Sequence, residues 1–163
     1  MIRPATESDI PAITELAFTS GLFPETEVDT VQALMAEYFA RTRDGGHACL
    51  LDDGDGGEEK PVGVAYYQPV PATDRTWTLL MIAVRMDRQG QGRGGALLRQ
   101  VEAELGGRGQ RLLLVETSGI PDFELTRTFY VKSGYTEQAR VPDYYEDGDD
   151  MVLFHKNLIK AQS

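Results

Sequence analysis

Several residue types are scarce in this chain, and each scarcity narrows what it can be. Cys49 is the single cysteine among 163 residues, so no internal disulfide can form and a reducing compartment is expected. The two histidines, His47 and His155, lack metal-ligand spacing, and no metal is expected. No apolar run approaches the ~20 residues that cross a bilayer, and the opening MIRPATESDI lacks the apolar stretch of a signal peptide. Lysine and arginine number 16 against 26 aspartates and glutamates, a net charge of −10. General nucleic-acid binding needs a basic face, so that class is excluded along with membrane proteins. These absences lead to the expectation of a cytoplasmic protein that works on neither nucleic acid nor membrane.

What is present suits a globular fold. Hydrophobic residues make up 41% of the chain, enough for a real core at this length. No repeat or linker marks an internal boundary, so a single domain over residues 1–163 is expected.

Ile2, Arg3, Pro4 and Ala5 read as a short strand limited by its proline. Thr6 and Ser8 both suit the N-cap of a helix over residues 9–20, where Ile10, Ile13, Leu16 and Ala17 recur at helical spacing. A second helix over residues 27–41 carries Val31, Leu34, Met35, Tyr38 and Phe39 on one face. The period then shortens. Strands over residues 47–51 and 61–69 flank DDGDGGEEK, a polar turn whose acids lack the spacing of a calcium loop. WTLLMIAV, residues 77–84, has the continuous apolar character of a central strand. A helix over residues 92–105 buries Leu97, Leu98, Val101 and Leu105, and a strand follows at 111–116. A helix over residues 123–133, with Leu125 and Phe129 inward, precedes strands at 136–140 and 151–155. Between those strands lies an acidic loop, VPDYYEDGDD. The order is β-α-α-β-β-β-α-β-α-β-β, an α/β arrangement with antiparallel hairpins first and a parallel crossover later.

The crossover helix begins in RQGQGRGG, residues 88–95, which packs four glycines and two arginines into eight residues. Glycine costs about 1 kcal/mol against alanine in a helix, so such a run implies that bare N–H groups approach something closely. A helix N-terminus favours an anion. Residues 85–111 hold six arginines against three acids, a positive window in an acidic chain, and Arg88 or Arg93 is placed to assist. A nucleotide triphosphate loop is excluded, because Arg93-Gly94-Gly95 stands where lysine and a hydroxyl are required. Gly90, Gly92 and Gly95 match the GxGxxG spacing of a dinucleotide site, and Glu116 falls where a ribose-binding acid belongs. Against that oxidoreductase reading, five residues separate the strand from the first glycine and little chain remains for a second half-fold.

The third anion is the pyrophosphate of coenzyme A. Gln89-Gly90-Gln91-Gly92-Arg93-Gly94 fits Gln/Arg-x-x-Gly-x-Gly/Ala, preceded by the strand LLMIAV and followed by Ala96-Leu97-Leu98. With IRPATESDI at the start and TFYVKSGY at residues 128–135, this resembles the GNAT superfamily of acyl-CoA-dependent N-acetyltransferases over nearly the whole chain. The resemblance implies a mixed, mostly antiparallel sheet of six to seven strands, centrally splayed and flanked by about four helices. It implies acetyl-CoA as co-substrate, held by Gln89, Gly90, Gln91, Gly92, Arg93 and Gly94. It also implies a backbone N–H at Ile82, Ala83 or Val84 that polarises the thioester. Tyr130 matches the family's general acid.

The chain departs from the family in two places. Its central strand has no carboxylate, so the usual base is missing; Glu116 is the substitute, with Glu25, Glu27 and a solvent relay as further options. Phe123 stands where an asparagine often contacts the cofactor, and Thr117 and Ser118 offer polar contacts nearby in sequence. Cys49, in a strand and without a histidine partner, is read as inert. The acceptor is a primary amine, a small molecule or a peptide, and the acids and tyrosines around Asp143, Tyr144, Tyr145 and Glu146 suit a cation. A homodimer is left open, and a non-catalytic acyl-CoA-binding module is the alternative from another class.

Overall fold

The computed structural model describes residues 1–22, 26, 28–46, 48–56 and 58–159. Seven strands and four α-helices are formed by these residues. They are β1 (Ile2–Pro4), α1 (Ile10–Thr19), α2 (Val28–Gly45), β2 (Ala48–Asp52), β3 (Gly63–Pro69), β4 (Thr76–Val84), α3 (Arg93–Gly107), β5 (Leu112–Ser118), α4 (Glu124–Lys132), β6 (Thr136–Glu146) and β7 (Asp149–Asn157). The order of elements is the one expected from the sequence. The strands form one mixed sheet in the order β1-β2-β3-β4-β5-β7-β6. β4 and β5 pair parallel, while β1–β2, β2–β3, β5–β7 and β6–β7 pair antiparallel. The chain divides into two compact units, Met1–Pro69 with Met81–Glu104, and Val70–Leu80 with Leu105–Ser163.

In the first unit, α1 and α2 pack on one face of β2, β3 and the end of β4. Ile13, Leu16 and Ala17 of α1 and Val31, Met35 and Tyr38 of α2 meet Cys49, Leu51, Val64, Tyr66, Met81 and Ala83. The buried stripe of α2 runs through positions 31, 35 and 38, so Leu34 lies on its flank, 48% exposed. The start of α1 is tied down by charge. Arg3 forks onto Asp9 through Nη1 (2.8 Å) and Nη2 (2.9 Å), and its Nε donates to Asp53 at 2.7 Å. Asp9 also accepts the Thr6 N–H at 2.8 Å and the Thr6 hydroxyl at 2.9 Å. These bonds tighten Glu7–Asp9 into a 3₁₀ turn, so the α-helix starts one residue later than expected. The guanidinium holds the Asp9 carboxyl well below the usual carboxylate range.

The opposite face of the same strands receives α3. Gly63 makes the close approach: a Cβ there would lie 2.9 Å from Leu97 Cδ1 and 3.3 Å from the Ala83 carbonyl oxygen. Leu97 is fully buried and has nowhere to retreat.

In the second unit, β4 starts beside β5 from Thr76↔Leu112, and that ladder ends at Leu79↔Val115, five residues before the end of β4. β5 also pairs with β7 through all seven of its residues. Trp77, Leu79, Leu105, Leu113, Val115, Tyr130, Val152 and Phe154 are buried. The Trp77 indole N–H donates to Gln110 at 2.8 Å.

Two expectations for this unit are corrected. The acidic segment expected as a loop is mostly strand, since β6 runs on to Glu146 and the chain reverses at Asp147 and Gly148. A bulge absorbs the register change between Val141 and Glu146, and Asp143 takes a positive φ of 52° within it. Asp143 makes this possible by accepting the Gly148 N–H at 2.8 Å and donating its own N–H to Asp150 at 3.1 Å. Leu125, expected to face inward, is 85% exposed. The inward stripe of α4 runs through Thr126, Phe129, Tyr130 and Ser133, which turns Leu125 about 100° away from its leading residue.

Two measurements check these points. Gly63→Ala is expected to destabilise the protein by about 1–3 kcal/mol in urea unfolding, the usual cost of overpacking a filled core site. Asp9→Asn is expected to cost about 1 kcal/mol at pH 7, a bidentate pair discounted for its part-exposed arginine. Asp9 has a depressed native pKa, so its contribution is complete above the unfolded value of about 3.9 and is lost as pH falls from there through the native value. The stability gap between Asp9→Asn and the parent must therefore close on acidification.

Candidate active site

The turn between β4 and α3 is built from constraints on its flanks. The Arg85 N–H donates to the Val62 carbonyl at 2.8 Å as β4 ends, and Met86–Arg88 forms a 3₁₀ turn. Gly90 and Gly92 follow with φ of 71° and 79°, values that side-chain-bearing residues rarely adopt. No atom lies within 4 Å of where a Cβ would stand on either residue, so their requirement is conformational. The Ala96 N–H, bonded to the Gly92 carbonyl at 3.0 Å, makes the first turn of α3. Among the described residues, no acceptor meets the N–H groups of residues 90–95. These donors lie at the positive end of a 15-residue helix, where an anion is favoured. An open depression of about 480 Å³ borders Gln91, Gly92, Arg93 and Ala96.

The side chains of the turn do other work. Gln89 Nε2 donates to the Val84 carbonyl at 2.9 Å and to the Ser20 carbonyl at 3.3 Å, tying the turn to the ends of β4 and α1. Arg93 pairs with Asp52, at 3.2 Å, and with Asp55. Arg88 pairs with Glu58, and Arg85 reaches Glu58 at 3.2 Å and Asp87 at 2.6 Å. Three arginines thus face four carboxylates, and folding offsets the charge of Arg85, Arg88 and Arg93. Three of those carboxylates come from DDGDGGEEK, which the sequence presents as a solvated turn. Nothing in its local pattern marks the role, because its partners lie 27 to 41 residues away. Ile82, Ala83 and Val84 form the last three positions of β4, directly before the turn, with Ala83 buried and the others half-buried.

The second unit carries the other candidates. Glu116 is exposed on β5, opposite Leu153 of β7. Thr117 and Ser118 are buried, and the Ser118 hydroxyl is already engaged with Asp149. Arg127 Nη1 donates to the carbonyls of Ser118 (2.8 Å) and Ile120 (2.9 Å), so α4 fixes the loop that leaves β5. Tyr130, 3% exposed, packs its ring against Phe129, Tyr135 and Phe154 at centroid distances of 5.2, 5.7 and 5.7 Å. Burial pushes its phenol pKa above the ordinary value, so the proton stays on oxygen. Tyr145 is pushed up to about 12, chiefly by burial and next by the charge of Glu116, with Tyr144 and Asp149 adding to it. The Glu116 charge therefore reaches Tyr145 of β6.

Phe123, half-buried at the start of α4, offers no polar group. Cys49 is buried and its thiol is pushed up to about 12, which withholds the thiolate a nucleophile needs. His155, on β7, pairs across the sheet with Thr136. Glu25, Glu27 and His47 lie outside the described residues. Among the described residues, no three metal-ligating side chains gather, and no helix is long and apolar enough to cross a membrane.

Known proteins share this architecture. A crystal structure from Desulfovibrio desulfuricans, assigned to the GNAT acetyltransferases, is 31% identical, covers 97% of this chain and 98% of its own, and superposes with a TM-score of 0.87. The ribosomal-protein-S18-alanine N-acetyltransferase of Escherichia coli shares the fold, with a TM-score of 0.76 at 24% identity over 97% of this chain and 93% of its own. An uncharacterised N-acetyltransferase of Methanocaldococcus jannaschii is 33% identical over 87 residues, 52% of this chain, and the match spans about half (53%) of that relative. The model of the acetyltransferase (GNAT) family matches residues 11–135, a stretch that contains the glycine turn, β5 and Tyr130. The chain belongs to the acetyltransferase (GNAT) family.

Proposed function

We propose that the chain, working as one catalytic domain over residues 1–163, transfers an acetyl group from acetyl-CoA to a primary amine by direct attack in a ternary complex. The observation that carries this reading is the row of unbonded amides at residues 90–95, at the N-terminus of α3. Gln89, Gly90, Gln91, Gly92, Arg93 and Gly94 hold the diphosphate in this reading, the glycines through main-chain donors and Gln89 and Arg93 by fixing the turn. An N–H at Ile82, Ala83 or Val84 receives the charge that develops on the thioester oxygen.

The amine nitrogen attacks the thioester carbonyl, the C–S bond breaks, and the thiolate takes the Tyr130 proton. A phenol kept protonated by burial is a weak acid toward water. The thiolate is also poorly solvated in an apolar setting, so its own proton affinity rises and the transfer stays matched. The acceptor ammonium first loses a proton to Glu116 or a solvent relay and attacks as the neutral amine; the second N–H proton, lost as the amide forms, returns to the Tyr130 phenolate through solvent. The acceptor is a small-molecule or peptide amine, and its cationic character is supported by Glu116, Asp149 and the paired rings of Tyr144 and Tyr145, 5.0 Å apart. The Escherichia coli neighbour, named for a ribosomal-protein alanine, supports keeping a peptide N-terminus among the acceptors.

An amine panel with acetyl-CoA and thiol detection tests the reading. Tyr130→Phe is expected to lower kcat by about 10²–10⁴, the usual range for a lost general acid, with KM for acetyl-CoA little changed. Because the Tyr130 pKa is raised, kcat is expected to show no alkaline loss from this group up to its ordinary value of about 10. Coenzyme A binding without turnover of any amine, indifferent to Tyr130→Phe, would establish instead a non-catalytic acyl-CoA-binding module. Stabilisation by NADH and not by coenzyme A would favour the oxidoreductase.

A further inference from the structure

The N–H groups of residues 90–95 meet no acceptor among the described residues, so the aim of these donors depends on what grips the two ends of the turn. On the far side the grip is Arg93, whose guanidinium meets Asp52 and Asp55. Asp52 is itself locked: its side chain is 6% exposed and accepts the Gly54 N–H at 2.9 Å. On the near side Gln89 holds the backbone to β4 and α1, and one carboxylate gathers the arginines. Glu58 takes Arg88 on Oε1 and Arg85 on Oε2, so it spans both ends of the 3₁₀ turn that leads into the glycines.

The path of Glu58 is reserved for it. Gly54 adopts φ +78°, and a Cβ there would stand 2.7 Å from Glu58 Cγ. The Glu58 side chain is only 18% exposed. A solvated surface acid would not need the enclosure.

Resting on the reading of the turn as the coenzyme site, we propose that Glu58 is a positioning residue for acetyl-CoA. It touches no reacting atom. It spends two arginines as struts, so that the amides of residues 90–95 are aimed before the diphosphate arrives. The rival arrangement makes Arg88 and Arg93 phosphate ligands, which Glu58 and Asp55 merely occupy until the coenzyme displaces them. Buried Nε atoms on both arginines, without acceptors among the described residues, keep that rival worth testing. The two arrangements predict opposite signs. Removing a strut weakens coenzyme binding, whereas removing a competitor for the arginines, and a negative charge near an anion, strengthens it.

The experiment uses Glu58→Gln, which keeps the size and removes the charge. Coenzyme A binding is followed by calorimetry, and KM and kcat with acetyl-CoA are measured well below the melting temperature. Glu58→Gln is expected to raise Kd and KM about five- to twentyfold with kcat within about twofold, the pattern of lost preorganisation. Glu58→Asp is expected to recover part of the loss. Unchanged or tighter binding in Glu58→Gln, when the parent protein binds coenzyme A, overturns this proposal alone. Failure of the parent itself to bind coenzyme A overturns the site assignment and the proposal with it.

Discussion

The structure depends on a helix whose first amides meet no protein acceptor among the described residues. Ordinary helices hide their N-terminal donors under a capping side chain or in water. Here two left-handed glycines, Gly90 and Gly92, deliver the chain into α3 with no capping side chain at all. Such a turn has few hydrogen bonds of its own, and side chains on its flanks anchor it. Gln89 anchors it to β4 and α1, while Arg85, Arg88 and Arg93 anchor it to the acids of the β2–β3 loop. Gly63 then lets α3 sit close enough to the sheet for that anchoring to work.

This arrangement changes how the charge of the molecule is understood. An acidic protein with a local run of arginines suggests side chains waiting for a phosphate. In the fold those arginines face carboxylates from a segment far away in sequence, and the net charge at the turn is close to balanced. What stays available to an anion is the main chain. Amide donors fixed by a scaffold bind an oxyanion without the entropy cost of ordering a long side chain, which suits a carrier shared by a whole family.

The second unit solves a different problem. Its buried phenol, Tyr130, keeps its proton. Burial among Phe129, Tyr135 and Phe154 does this for Tyr130 with no charged neighbour required. Arg127, bonded to the Ser118 and Ile120 carbonyls, holds the chain between β5 and α4 and so couples the placement of Tyr130 to that of Glu116.

Much of this was legible in the residues themselves. Periodicity located the strands and helices to within a few positions, except the end of β6, because burial on one face imposes a period of 2 or 3.6 whatever the partner. The glycine turn was legible because positive φ restricts residue choice locally. Where the reading failed, the deciding contact was distant. Leu125 is apolar but lies a quarter-turn off a stripe that only α4's packing defines. The segment around Asp143 looked like a loop, since its strand is held by a bulge and by side-chain bonds to Gly148 and Asp150. The acids of DDGDGGEEK carry no local sign that arginines 27 to 41 residues away will find them. The sequence by itself determined the order of elements, the family and the left-handed glycine turn, since these follow from local conformation and spacing. Tertiary structure alone decided which charges meet. A salt bridge depends on where two chain segments come to lie, and no periodicity encodes that.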